Sequence, residues 1–249
     1  MDALTISAAS GLRARMETLD MLANNLANAS TNGFKSDREF YGLYTSAEAE
    51  ASAAMGNGQP ATVPVIEKQF TDFTQGMVTP TGNPLDLALE GKGFFTANGP
   101  NGPLYTRNGS FKLSATGALV TAEGYPLRTQ DGKTIQSQSG SPFEVTSDGD
   151  VRQDGQSLGK LDIADFTEKN AVVKQGNNYF RLEDSAAKPV AATAVQVQQG
   201  KIESSNVSSA HGAVRLVSVM RQFEMLQKAI SMSVEMNKHA IEEVARVGS

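Results

Sequence analysis

Two apolar seams with heptad spacing stand at opposite ends of the chain, and they constrain the fold more than any other feature. Near the N-terminus, Leu12, Met16, Leu19, Ala23 and Leu26 advance by 4, 3, 4 and 3 residues. Near the C-terminus, Leu216, Val219, Phe223, Leu226, Ile230, Val234, Ile241 and Val244 lie on one stripe, with Met220 beside it. This spacing puts each set on one narrow face of a helix. A stripe that narrow suits a helical partner better than a broad globular core. A lone amphipathic helix is marginal in water, because nucleation is costly and its seam is unsatisfied. The simplest arrangement pairs the two ends with each other, and the chain between them projects as an insertion.

The stretch between the seams has a different texture. "TGNP", "NGPNG", "RNGS", "AEG", "QDG", "SDGD" and "QGNN" recur at short intervals between about 76 and 190. Among them lie short apolar or alternating runs, "LDLAL", "GFFTA", "SFKL", "ALVT", "LGKLDIADF" and "NYFRL". Asn-Gly and Asp-Gly between such runs are strong hairpin signals. The reading is an α+β chain, mainly β. An N-terminal helix lies within 1–34 and an extended linker or arm covers 35–75. An antiparallel β-rich domain of many short strands covers 76–190. A connector spans 191–206, in which "AVQVQ" reads as one more strand, and a C-terminal helix spans 207–249 with Ser208 or Ser209 as its cap. The linker reading rests on "SAEAEASAAMGNGQPATVPV", which is small, polar and punctuated by Gly and Pro.

Composition narrows the function classes. A net charge of −5 supplies no basic field, so no nucleic acid is expected as a partner. Cysteine is absent, which removes disulfides, thiol catalysis and thiolate metal sites. No apolar run approaches the ~18 residues of a membrane span, so no membrane insertion is expected. The opening "MDALTISAASGLRARMETLD" lacks the basic and apolar regions of a secretory signal peptide. The two histidines, His211 and His239, have no metal-ligand spacing. "DGD" at 148–150 lacks the spacing of a calcium loop and reads as a hairpin turn. No GxSxG elbow and no GxxxxGK[ST] loop occurs, and no catalytic residue, metal or cofactor is expected.

Against this background "LANNLANASTNGFK" (22–35) carries asparagines at 24, 25, 28 and 32, crowding a poor helix former into the end of a helix. Gly33 then supplies a stop. This stretch resembles the signature of the bacterial flagellar rod and hook axial proteins. "PTGNPLDLALEGKGFF" (80–95), "YTRNGSFKLSATGALVTAEGYPL" (105–127), "GKIESSNVSS" (200–209) and "MRQFEMLQKAI" (220–230) resemble the same family, in family order and across almost the whole chain. The length and the single β domain resemble a rod protein. "RQFEMLQKAI" and "TQGMVTPTGNPLDLAL" look closer to the proximal rod type, which is favoured, while "LANNLANASTNGFK" and "GKGFF" fit the distal type equally well.

The resemblance implies a structural subunit of the basal-body rod that is not an enzyme. It implies export by the flagellar type III apparatus without a cleaved signal, and helical homo-oligomerisation through terminal helices that pair as a coiled coil on assembly. It also implies contact with other rod and hook-family proteins. The expected assembly residues are Leu12, Met16, Leu19, Ala23, Asn25, Leu26, Asn28, Asn32, Gly33 and Phe34 on the N-terminal side. On the C-terminal side they are Asn206, Leu216, Met220, Phe223, Leu226, Ile230 and Val234. The asparagines then have two readings: hydrogen bonds that set register between neighbours, or plain fraying of a helix end. The alternative in another class is a secreted β-domain enzyme or glycan-binding module with helical oligomerisation arms.

Overall fold

A computed structural model describes residues 3–45, 62–167, 171–183 and 188–247. The chain forms two units. Unit 1 holds the terminal helices and the segment Asp37–Asp72, and unit 2 holds Asn28–Ser36 and Phe73–Val207.

In unit 1, helix α1 covers Ala3–Ala27 and helix α2 covers Ser209–Val247. α1 ends where its asparagines begin to bond locally. The Thr31 amide donates to the Asn28 carbonyl at 3.1 Å, and the Thr31 hydroxyl bonds the Asn28 side-chain oxygen at 3.2 Å. Such side-chain bonds compete with the helical ladder, so the helix ends within the expected 1–34 span, ahead of the Gly33 stop. α2 starts at Ser208, whose carbonyl accepts from the Gly212 amide at 2.8 Å and whose hydroxyl accepts from the His211 amide. A side chain added at Gly11 would begin 3.8 Å from Leu226, and one at Gly212 would begin 3.7 Å from Leu26. The helices therefore run antiparallel. Met21, Leu22 and Val219 are buried between them, with Leu19 and Leu216 packed alongside.

The extended arm expected over 35–75 is corrected by the structure. Strand β1 (Asp37–Thr45) pairs antiparallel with β2 (Thr62–Thr71), with a bulge at Phe40/Tyr41. "DREFYGLYT" and "TVPVIEKQFT" are rich in aromatic and β-branched residues, and pairing satisfies their backbone groups. The stretch "SAEAEASAAMGNGQPA", which suggested the arm, lies outside the described residues. α1 packs against β2 as well as α2.

Unit 2 is built from short antiparallel pairings. A six-stranded sheet runs in the order β13 (Val172–Gly176), β14 (Tyr179–Leu182), β6 (Gly102–Thr106), β5 (Phe94–Gly99), β12 (Ile163–Asp165) and β15 (Val190–Ala191). A three-stranded sheet joins β9 (Glu144–Val145), β10 (Asp150–Gln153) and β11 (Gln156–Lys160). Between β10 and β11, Asp154 and Gly155 have φ of 52° and 77°, as a two-residue primed hairpin turn requires. Strands β7 (Lys112–Leu113) and β8 (Leu119–Val120) pair, as do β16 (Val195–Gln199) with β4 (Leu87–Gly91) and β17 (Lys201–Glu203) with β3 (Val78–Pro80). The span 191–206 is thus part of the β unit, because two of its strands complete ladders begun by β3 and β4.

Side-chain alternation along β5 separates two cores. Phe95 and Ala97 point into a cluster with Leu87, Phe111, Leu127 and Leu161. Phe94 points into another with Tyr105, Phe166 and Phe180. Phe94 meets Phe73 edge-on at 5.5 Å between centroids, and Phe95 meets Phe111 at 5.1 Å in the same geometry.

Candidate assembly site

The expected assembly residues fall into a helix-pair set in unit 1 and a turn-and-connector set in unit 2. Within unit 1, Leu12, Leu19 and Leu26 of the N-terminal seam are half-buried, Ala23 is exposed and Met16 is 55% exposed. The buried stripe is Ala14, Thr18, Met21, Leu22 and Asn25. The difference has a cause: α1 serves two neighbours, the hairpin and α2, so its covered stripe lies around the helix from the heptad seam. On α2, Leu216, Phe223, Leu226 and Ile230 are half-buried in the expected seam beside Val219. Met220 and Val234 are 47% and 58% exposed.

Asn25 has a defined partner within the chain. Its amide nitrogen donates to the Asp37 carbonyl at 2.8 Å, and its side-chain oxygen accepts from the Asp37 amide at 2.9 Å. The carboxamide thus imitates a strand edge and pins α1 to the start of β1. Asp37 is held further by the Thr71 hydroxyl at 2.8 Å. Arg215 of α2 reaches the nearly buried Glu39 of β1 at 2.6 Å. The second oxygen of Glu39 is buried without a hydrogen-bond partner, which leaves Arg215 as the compensation this carboxylate receives among the described pairs.

In unit 2, Gly33, Phe34 and Asn206 meet in a buried polar knot. Gly33 has φ of 69°, and a side chain there would strike the Asn108 amide at 2.3 Å. Both facts require glycine. The Gly33 amide donates to the Glu203 carbonyl at 2.7 Å. Asn206 accepts from the Ser36 amide at 2.8 Å and donates to the Thr74 carbonyl at 3.2 Å. Its own backbone amide bonds the Phe34 carbonyl. Phe34 is buried with the Lys174 ammonium 4.3 Å over its ring, and the Asn32 carbonyl accepts from the Asn178 side chain at 3.0 Å.

At the centre sits a charge cluster that the sequence reading missed. Glu203 is 0% exposed and accepts from Lys35 at 2.5 Å, from Arg107 at 3.1 Å and from the Gly76 amide at 2.8 Å. Lys35 also bonds the Thr74 carbonyl, and Arg107 bonds the Leu89 and Gly91 carbonyls. Burial pulls the Arg107 guanidinium below its ordinary value while Glu203 opposes that shift. The guanidinium stays charged because its starting value is so high. Removing one partner of such a cluster costs about 3–5 kcal/mol, because the remaining charges stay buried and uncompensated. The effect is mechanical. The segment after α1 and the segment before α2 are held side by side within the β unit by hydrogen bonds and ion pairs. Lys35 and Glu203 both lie in the quoted motifs, but their pairing spans 168 positions, which no local pattern reveals.

The comparisons with known proteins follow the same map. Residues 7–35 match a family described as flagella basal body rod protein. Residues 88–155 match the flagellar hook protein FlgE/F/G D1 domain, and 198–243 match the flagellar basal body rod FlgEFG protein C-terminal. The flagellar basal-body rod protein FlgF of Caulobacter vibrioides is 31% identical over 92% of both chains. FlgG of Buchnera aphidicola from Acyrthosiphon pisum is 32% identical over 91% of this chain and 94% of its own. FlgG of Bacillus subtilis is 31% identical over 92% and 94%. With near-full-length identity above 30% and both terminal motifs matched, the chain belongs to the flagellar basal-body rod protein family.

Proposed function

We propose that this chain is a structural, non-enzymatic subunit of the bacterial flagellar basal-body rod, of the proximal type. It leaves the cytoplasm through the flagellar type III export apparatus. It assembles with copies of itself and with other rod and hook-family proteins in a helical array. The terminal helices supply the axial contacts, pairing as a coiled coil on assembly. Open head-to-tail contacts of that kind propagate a filament.

The observation that carries this reading is the incomplete helix pair. Among the described side chains of these 25- and 39-residue helices, Met21, Leu22 and Val219 form a small buried apolar cluster, while Met16, Met220 and Val234 are exposed. Helices of that length with so little covered surface are completed by neighbours. The test is Leu26→Asp in cells where this chain is the sole copy. A charge at the helix contact is expected to abolish rod assembly and motility while amide spectra of the β unit stay unchanged. Normal rods from the variant would remove the helices from the assembly interface.

A further inference from the structure

Outside the charge cluster, unit 2 contains an open cavity of about 350 Å³ whose polar lining is poorly satisfied by the protein itself. Thr96, Arg128 and Asp162 are placed side by side by backbone bonds. The Arg128 amide donates to the Thr96 carbonyl at 2.9 Å, the Asp162 amide to the Arg128 carbonyl at 2.9 Å, and the Thr96 amide to the Asp162 carbonyl at 3.1 Å. All three side chains line the cavity, with Tyr105 beside them.

Their mutual bonding is incomplete. Arg128 Nε lies 3.6 Å from the Asp162 carboxylate, an ion pair beyond hydrogen-bond range, and this buried nitrogen has no hydrogen-bond partner among the described residues. The buried Thr96 hydroxyl approaches Asp162 and favours its charged form, but without hydrogen-bond geometry. Burial raises the Asp162 carboxyl above its ordinary value more than Arg128 and Thr96 lower it. Buried polar groups are normally paired. Two of them, the Thr96 hydroxyl and Arg128 Nε, have spare capacity around one cavity, beside the loosely paired Asp162 carboxylate, as at a binding site.

The walls identify the ligand. Leu182, Pro189 and Val190 give an apolar side, and β15, which carries Val190, ends the six-stranded sheet among the described residues. An exposed strand edge accepts an extended peptide. The polar floor sets a cation and an anion next to each other. A carboxylate ligand would face Asp162, and an ammonium ligand would face Arg128 and the nearby Lys188. A neutral carboxamide presents an acceptor and a donor together and fits both.

We propose that this cavity is a peptide-docking site on the β unit, taking an extended segment of a protein partner with a Gln or Asn side chain seated on Arg128 and Asp162. The test titrates isotope-labelled full-length protein with Ac-Val-Gln-Val-NH2 and with its Glu and Lys counterparts. The expected result is saturable amide shifts at Thr96, Arg128, Asp162 and Ala191, with the Gln peptide binding at least ~10-fold more tightly than either charged one. Arg128→Ala and Asp162→Ala are each expected to weaken it by about the same factor. If either fails to fold, Arg128→Lys, which keeps the charge and loses the planar fork, is expected to weaken binding ~3-fold or more. Equal affinity for the three peptides, or no saturable shift at these four amides, would overturn the assignment. Shifts confined to the helices would do the same.

Discussion

The helix pair and the β unit achieve burial in opposite ways. The β unit contains two apolar clusters, stacked aromatic pairs and a fully buried ion cluster. The helix pair, with 64 residues in its two helices, has one small apolar cluster among its described side chains, alongside polar ties such as Asn25 to Asp37 and Arg215 to Glu39. The β unit buries most of its large apolar side chains in its own clusters, while Met16, Val214, Val217, Met220, Met225, Met232, Val234 and Met236 of the helices are exposed. Packing of apolar faces supplies most helical stability in proteins, so local stability is expected to differ between the two regions. Amide exchange on the intact chain reads that difference directly, with slow exchange in β5, β6 and β14 and faster exchange along α2.

The sharpest way to break this contrast is at Glu203. Glu203→Ala leaves Lys35 and Arg107 buried without their carboxylate. It is expected to cost the β unit about 3–5 kcal/mol, read from exchange of its slowest amides. A loss under ~1 kcal/mol would mean water reaches the cluster and the unit is less closed than its burial indicates.

Gly33→Val comes next. It forces a β-branched residue into positive φ and onto the Asn108 backbone. A loss of about 2–3 kcal/mol is expected, concentrated in amides of 31–36 and 105–109. Unchanged exchange there would show that the turn simply shifts.

Asn25→Ala tests the helix side. It strips both partners from the Asp37 backbone and is expected to cost about 1–3 kcal/mol. The readout is faster exchange at Asp37 and along the end of α1, with β5 unaffected. An equal loss in β5 would merge the two regions into one cooperative unit.

The smallest effect belongs to Asp162. Its carboxyl is raised by burial, so the folded state holds this proton to higher pH than the unfolded chain does. The linkage slope is then negative: stability falls as pH rises from the unfolded value near 4 through the folded one. Asp162→Asn removes that dependence. Thermal melts of the pair are expected to converge at low pH, with the variant the more stable near neutrality. The reverse order would mean that Arg128 already compensates the carboxylate.

Reading the chain alone recovered the helices, the strand-rich middle, the Asp154-Gly155 turn and the need for glycine at 33. All of these are local: a 3.5-residue spacing, a two-residue alternation and a positive φ are written within a few positions. It also recovered the family, because five quoted stretches preserve their order. The hairpin of β1 and β2 escaped because a small, polar stretch dominates the composition between its strands. The stripe that α1 covers escaped because one helix serves two partners, and periodicity alone does not say which face meets which.

The deepest differences are long-range. As sequence, Lys35, Arg107 and Glu203 look like ordinary solvated charges, and Thr96, Arg128 and Asp162 share no motif. Only the folded chain brings them together, because strand pairing joins positions far apart, and a charge acquires its energetic meaning from the water it loses. The sequence by itself determined which elements form and which family they belong to. Tertiary structure decided which polar groups are buried, what they hold in place, and where one cavity still has bonds to make.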